Sequence, residues 1–406
     1  MAFLKLGFAP DPEKYVLCTY YVEAPDLKKA GEELGAESSI GTWTKIGTMK
    51  ESILEKLGAR VYSINKNILK IAYPVDLFEE NNMPQFLSDA AGNIFGMKSV
   101  QNLRMLDFEV PKAYASSFLG PEFGRDGVRE ALGTKASRRP HIGTIVKPKV
   151  GLNPKETAKV AYESWAGGLD FVKDDENLTS QKFCPFEERV SMVLDAKDKA
   201  QSETGEKKMY AANITGSAEV MLNRAEYVKE LGGNCIMIDI ITAGFSGFQY
   251  IRSHNFGMAI HAHRAMYAAF ARNPKHGIAM LPIAKMARMC GADQLHIGTV
   301  VGKMEGAKDE VLAIHKSINS PMGKLKPLFS VCSGGLAPAN VPDLLKIFGP
   351  DIVIQAGGGI HGHPDGTRAG AAALRQAVEA GMKGIPLSEY SKTHKELARS
   401  PEKWKM

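Results

Sequence analysis

Gly167-Gly-Leu-Asp-Phe-Val-Lys173-Asp-Asp175-Glu176-Asn177 is a short apolar run that stops abruptly on charge, and its pattern recurs along the last two thirds of the chain. Eight such runs can be counted, ending near Lys147, Lys173, Asn213, Asp239, His263, His296, Ser333 and Gly357, roughly 24 to 40 residues apart and separated by helix-like segments. Eight strand-then-helix units in succession are the signature of a TIM (β/α)8 barrel, whose catalytic groups lie at the C-terminal ends of the strands. Polar residues sit where most of the runs stop, so the periodicity locates a site before any motif is named. Upstream the order differs: extended Lys14–Val22, helical Asp26–Leu34, β-like Arg60–Ile64 and Ile68–Tyr73, helical Pro84–Ala91, and β-like Ser99–Val110. That is βαββαβ, the pattern of a ferredoxin-like α+β domain. Glu37-Ser-Ser-Ile-Gly-Thr-Trp43-Thr has no helical period and is expected to be a loop. The expected division is 1–120, an N-terminal ferredoxin-like α+β domain, and 121–406, a C-terminal TIM-barrel catalytic domain, entered through the polar helical connector Pro121–Thr134.

Composition narrows the chemistry. A chain of 406 residues, 44% hydrophobic and 24% charged, has room for two well-packed domains, and 40 glycines imply many tight turns. The net charge of +6 is modest, and no Lys/Arg run is interleaved with aromatics, so a pocket for a small anion is expected and nucleic acid is not. Five scattered cysteines, never in CxxC spacing, indicate neither a disulfide framework nor a zinc knuckle. The N-terminus has no basic start before an apolar run, and eighteen apolar residues never follow one another, so a cytoplasmic protein with no membrane span is expected. Ser391–Met406 is Lys-rich and reads as a solvated surface element.

Strand alternation puts Lys173 and Asp175 on one side, with Glu176 just past the strand end. Two carboxylates suit a hard cation such as magnesium, yet an ammonium cannot be a ligand. Lys173 is therefore a salt-bridge partner, a Schiff-base lysine, or an amine converted to an anion, for example by carbon dioxide to a carbamate. Lys147 and Lys149, in Val-Lys147-Pro-Lys149-Val, share a face in the same reading. Crowded ammonium groups depress one another's pKa, which would make one a usable acid or base; phosphate-neutralising or simply solvated lysines are the alternative. In Ile260-His261-Ala-His263-Arg264 two histidines share a strand face with an arginine beside them, and His296 ends another strand. Glycines bound the segment Gly298–Gly306 around Lys303, which reads as a mobile lid or as an ordinary surface loop. Ser333-Gly334-Gly335 and Gly357-Gly358-Gly359 fall at the ends of the seventh and eighth runs, where barrels commonly hold phosphate on backbone amides.

These residues together resemble one family across essentially the whole chain, the Rubisco large chain. The stretch around Lys173 is similar to that family's activation segment, in which the lysine takes up carbon dioxide as a carbamate and, with the acids matching Asp175 and Glu176, binds Mg2+. The resemblance implies that Lys147 protonates the C2 carbanion of the final intermediate and assists enolisation, with Lys149 as its companion in Lys-Pro-Lys. It further implies that His263 moves protons, that Arg264 holds one phosphate, and that His296 and Ser333 contact the phosphate-bearing half of the substrate. Lys303 matches the lid lysine that approaches incoming carbon dioxide, and Gly334, Gly335, Gly357 and Gly358 match the backbone phosphate cradles. Glu37, Thr42, Trp43 and Asn93 match residues that the neighbouring subunit contributes, which implies at least a homodimer, or a ring of homodimers. The expected activity is carboxylation of ribulose 1,5-bisphosphate by CO2, with O2 competing, giving two 3-phosphoglycerate through a magnesium-stabilised enediolate. Tyr267 stands where plant-type chains often have histidine, Ala356 where they have an aromatic residue, and both chain ends look short. These departures resemble the archaeal, form III branch, which is expected to need no small subunit and to serve nucleotide ribose salvage. The rival reading is a Rubisco-like enolase or isomerase of a phosphorylated, sulfur-containing sugar that fixes no carbon dioxide.

Overall fold

Side chains on a β-strand alternate between its two faces, so a strand buried on one side only reads as strict alternation. The computed structural model, which describes residues 2–41, 44, 46–301 and 308–401, shows this on its first strand. In β1 (Tyr15–Glu23), Val16, Cys18, Tyr20 and Val22 are buried and the residues between them are half-exposed. With β2 (Arg60–Asn65), β3 (Ile68–Pro74) and β4 (Asn102–Glu109) it forms an antiparallel sheet in the order β4–β1–β3–β2, that of a ferredoxin-like sandwich. The helix Leu27–Glu37, started by the Asp26 carboxylate accepting from the Lys28 and Lys29 amides, buries Ala30, Gly31, Leu34 and Gly35. It runs a turn beyond the expected Leu34, so Glu37 is its last residue and not part of a loop; Ser38 ends it by bonding back to the Leu34 carbonyl. A further helix, Glu51–Leu57, fully buries none of its residues; Ile53, Leu54 and Leu57 are half-buried, and the sequence reading did not name it.

The chain divides into two compact units. The first is 1–120 together with 266–290 and 320–325; the second is 121–265, 291–319 and 326–406. The excursion 266–290 was not expected. Its two-residue strand, Gly277–Ile278, pairs parallel with β4, and Lys285 Nζ bonds Asp107 and the Phe108 carbonyl.

The second unit carries a closed eight-stranded parallel barrel. Its strands are β5 (His141–Ile145), β6 (Phe171–Lys173), β7 (Met209–Asn213), β8 (Cys235–Asp239), β9 (Ala259–His263), β11 (Gln294–Gly298), β12 (Phe329–Ser333) and β13 (Ile352–Gln355), with β10 (Gly277–Ile278) being the strand of the excursion. Phe171, Met209, Ala211, Met237, Ala259, Val331 and Val353 fill the interior, and Val128 and Leu132 pack into the same core. This is the filled core expected of such a barrel, with no pore. Among the described residues no helix is long and apolar enough to cross a membrane, and all five cysteines are free and buried.

Candidate active site

Two residues past a core position, the same strand face arrives at the strand's C-terminal end, and there the apolar filling gives way to polar groups. Phe171 is followed in this way by Lys173, Ala211 by Asn213, Met237 by Asp239, Ala259 by His261 and His263, Val331 by Ser333, and Val353 by Gln355. One end of the barrel is thereby lined with chemistry.

Lys173 is 1% exposed. Its Nζ donates to the Asp174 carbonyl at 2.7 Å and lies 3.4 Å from Glu176 Oε2. Burial pushes its pKa down, against the upward pull of Glu176, Asp175 and Asp239, and so favours the neutral amine. Burial alone would raise Glu176, but the charges of Lys173 and His263 outweigh it and hold the carboxyl at about 2. Asp175 Oδ2 accepts from Lys147 Nζ at 3.0 Å, and its Oδ1 accepts from the Asn177 amide and side chain. Asn213 Nδ2 donates to the carbonyls of Asp175 and Glu176, fixing the loop that carries both acids. The strand before Lys147 ends at Ile145, so the alternation expected to align Lys147 with Lys149 does not reach them. Lys147 turns to Asp175; Lys149 is exposed.

His263 Nδ1 donates to Asp239 Oδ1 at 2.6 Å, which turns Nε2 toward Glu176 Oε2, 3.6 Å away. The His296 ring stands edge-on to those of His263 and His261. Its Nε2 is 2.8 Å from His261 Nε2 and its Nδ1 is 2.8 Å from Ser333 Oγ, so both of its ring nitrogens are engaged within the protein. Burial pushes the pKa of His261 and of His296 well below the ordinary value, and both rings are neutral.

Arg264 Nη2 lies against Gly298, where an added Cβ would stand 2.8 Å away. Gly334 and Gly335, with φ of 118° and 70°, turn the chain sharply after β12 in a region that favours glycine. Gly357 precedes and Gly358 opens the one-turn helix Gly358–His361. A Cβ on Gly358 would meet nothing, whereas one on Gly359 would come within 2.0 Å of the Leu336 carbonyl oxygen. Glu37 and Asn93 belong to the first unit, where Asn93 Nδ2 donates to Glu37 Oε1 at 3.2 Å. Thr42, Trp43 and Lys303 lie outside the described residues.

The partners of several supporting residues escaped sequence reasoning. Asn213 and Asp239 were visible as run ends and His261 as sharing a face with His263, but their partners are set by register between strands. Gln294 and Gln355 carried no motif; Gln355 is buried with neither amide atom paired within the described protein. Among the described residues no three His, Cys, Asp or Glu side chains converge as a ready-made metal set.

Residues 2–114 match the family described as ribulose bisphosphate carboxylase large chain, N-terminal domain, and residues 127–404 match the catalytic domain of that large chain. A ribulose bisphosphate carboxylase of Methanocaldococcus jannaschii is 48% identical over an alignment of 428 positions, covering 100% of both chains. One of Pyrococcus furiosus is 48% identical over 99% of this chain and 97% of its own. Among solved structures, the octameric ribulose-1,5-bisphosphate carboxylase/oxygenase of Pyrococcus horikoshii aligns with a TM-score of 0.95 at 47% identity, covering 99% of this chain and 96% of that one. The dimeric archaeal Rubisco of Hyperthermus butylicus aligns with a TM-score of 0.93 at 43% identity, covering 99% and 98%. With both domains matched, and nearly half of the residues identical to curated relatives over its full length, the chain belongs to the ribulose bisphosphate carboxylase large-chain family.

Proposed function

We propose that this chain carboxylates D-ribulose 1,5-bisphosphate: carbon dioxide adds at C2, water adds at C3, and cleavage of the C2–C3 bond gives two molecules of 3-phosphoglycerate, with dioxygen competing for the enolised substrate. The observation that carries this reading is the buried Lys173 amine beside Asp175 and Glu176. Only a neutral amine can attack carbon dioxide, and burial favours that form. Asp175 and Glu176 are two anionic oxygen donors, and a carbamate on Lys173 would add a third, which suits Mg2+ with water or substrate oxygens in its remaining positions. Magnesium so held would supply the Lewis-acid charge that enolisation of a 2-ketose requires.

The chain's own groups divide the remaining work. Lys147, held at 3.0 Å from Asp175, keeps a proton at Nζ for the C2 carbanion left after cleavage. His263, oriented by Asp239, offers Nε2 for proton movement at the C3 side. Arg264, Lys149, Ser333 and the amides of Gly334, Gly335, Gly357 and Gly358 would bind the two phosphates and the sugar between them, with His296 acting through Ser333, to which its Nδ1 is bonded. Lys303 would close over carbon dioxide. Glu37, Thr42, Trp43 and Asn93 would come from a neighbouring copy, so the working unit is a homodimer or a ring of homodimers without a small subunit, consistent with a related octamer and a related dimer. Likeness to archaeal chains supports a form III enzyme of nucleotide ribose salvage, and five unpaired cysteines support a cytoplasmic one.

The test is preincubation with magnesium and bicarbonate, then ribulose bisphosphate, following label from carbon dioxide into acid-stable 3-phosphoglycerate. Label is expected in the product, and Lys173→Ala should abolish it while the barrel stays folded. An isomerised sugar without label would select the enolase reading instead.

A further inference from the structure

His261 and Gln294 sit on neighbouring barrel strands just below the reacting groups, and nothing above gives either a part in the reaction. They begin a continuous chain of hydrogen bonds. Gln294 Oε1 is 2.7 Å from His261 Nδ1, His261 Nε2 is 2.8 Å from His296 Nε2, and His296 Nδ1 is 2.8 Å from Ser333 Oγ. All but Ser333 are nine-tenths or more buried.

Two facing ring nitrogens 2.8 Å apart share one proton between them, and full burial disfavours a second, charging proton on either ring, so each histidine holds a single proton and the chain has one direction or the other. The glutamine amide decides which. Its Nε2 donates to Met209 Sδ at 3.7 Å, a weak acceptor that can still take a hydrogen bond. Turning the amide over would set Oε1 against sulfur with no donor between them, leaving a buried carbonyl unpaired. With Oε1 toward His261, the proton of that ring sits on Nδ1 and its Nε2 must accept. His296 then donates from Nε2 and accepts at Nδ1, and among the described residues the donor for that nitrogen is the Ser333 hydroxyl.

We propose that Gln294 is a positioning residue: through His261 and His296 it fixes the Ser333 hydroxyl proton inward, so that Ser333 meets the substrate only as a hydrogen-bond acceptor. An inward-turned hydroxyl can receive a bond from a sugar hydroxyl but cannot donate to a phosphate oxygen. Given the function proposed above, on which this part rests, Ser333 orients a hydroxyl of the ribulose chain and leaves the phosphates to backbone amides and Arg264.

Neutron diffraction from deuterium-exchanged crystals of the wild-type protein reads the direction without any substrate. Deuterons are expected on His261 Nδ1 and His296 Nε2, with the Ser333 deuteron toward His296; deuterons on the opposite nitrogens overturn the proposal. Kinetics read the consequence. Gln294→Leu should lower kcat/KM for ribulose bisphosphate about 10- to 100-fold, in the range of other supporting residues. Gln294→Glu, which accepts as the amide oxygen does, should restore most of it. In a Ser333→Ala background, Gln294→Leu should cost nothing more, whereas additive losses would make Gln294 a packing residue and defeat the idea. If Gln294→Leu does not fold, the deuteron positions decide alone. A wild-type protein that incorporates no carbon dioxide would refute the carboxylase reading while leaving the neutron test intact.

Discussion

Asp174 and Asp175 are adjacent, chemically identical and opposite in use. Asp174 turns away from the barrel interior, where Arg189 Nε lies 3.3 Å from Oδ2, Tyr210 donates to Oδ1 at 2.8 Å, and the Asn213 amide donates to Oδ2. Both members of the Asp174–Arg189 pair are fully buried. Asp175 turns inward to Lys147. Removing one partner of a buried pair leaves the other charge uncompensated, so Asp174→Ala should destabilise the fold by about 3–5 kcal/mol. Asp175→Asn keeps shape and volume, and should melt near the wild-type temperature while losing labelled carbon dioxide incorporation. Thermal melts and the carboxylation assay on both variants check this; similar stability losses in the two would refute the division of labour. The inward direction of Lys173 is legible from strand period, but β6 ends at Lys173, so that of Asp175 is set by the loop that Asn177 and Asn213 hold. The Asp239–His263 bond is not legible either, because it depends on which residues neighbouring strands place side by side, and here Asp239 is paired with His263 across β8 and β9.

At the scale of elements, the triple glycine after β13 holds two different requirements in adjacent positions. Gly359 lacks room for any side chain, since a Cβ would collide with the Leu336 carbonyl, while Gly358 faces open space. Gly359→Ala should lower the melting temperature, because backbone must shift to accept it. Gly358→Ala should leave the melt unchanged and raise KM for ribulose bisphosphate, because the methyl group would occupy the space proposed for a phosphate. An unchanged KM would remove Gly358 from the binding surface. The sequence presents the three glycines as equivalent and only the neighbouring chain separates them. The same reasoning explains what else was legible. Most barrel strands are short apolar runs with a polar stop of their own, so the architecture can be read one strand at a time. The helix Glu51–Leu57 fully buries none of its residues, and the excursion 266–290 gains its identity from pairing with β4, more than 160 residues earlier. The excursion leaves no local signature, and the helix only the short apolar set Ile53, Leu54 and Leu57.

For the molecule as a whole, two properties follow from groups far apart in the chain. His141 opens β5 in full burial with Nε2 bonded to Thr134; burial, assisted by Arg129 and Arg139 and opposed by Asp170, pushes its pKa down to about 3. An unfolded histidine titrates near 6.5, so the unfolded chain binds this proton more readily. Its contribution to stability is intact above pH 6.5 and is lost as pH falls toward 3, at about 1.4 kcal/mol per pH unit. His141→Asn should flatten that part of the stability–pH curve whatever it does at neutral pH, and an unaltered slope would show that other groups govern the acid limb. The second property concerns assembly. Lys147, Lys173, Asp175, Glu176 and His263 gather within the second unit, while Glu37 and Asn93 are bonded to each other in the first. If each site draws the latter from a neighbouring copy, Glu37→Ala and Lys173→Ala disable different halves of different sites. Each variant alone should be inactive. When the two are co-expressed in equal amounts, half of the dimers are mixed, and each mixed dimer joins one doubly damaged site to one untouched site. Recovered activity should therefore approach about a quarter of wild type. No recovery, with mixed dimers confirmed by mass, would mean that a single copy supplies its whole site.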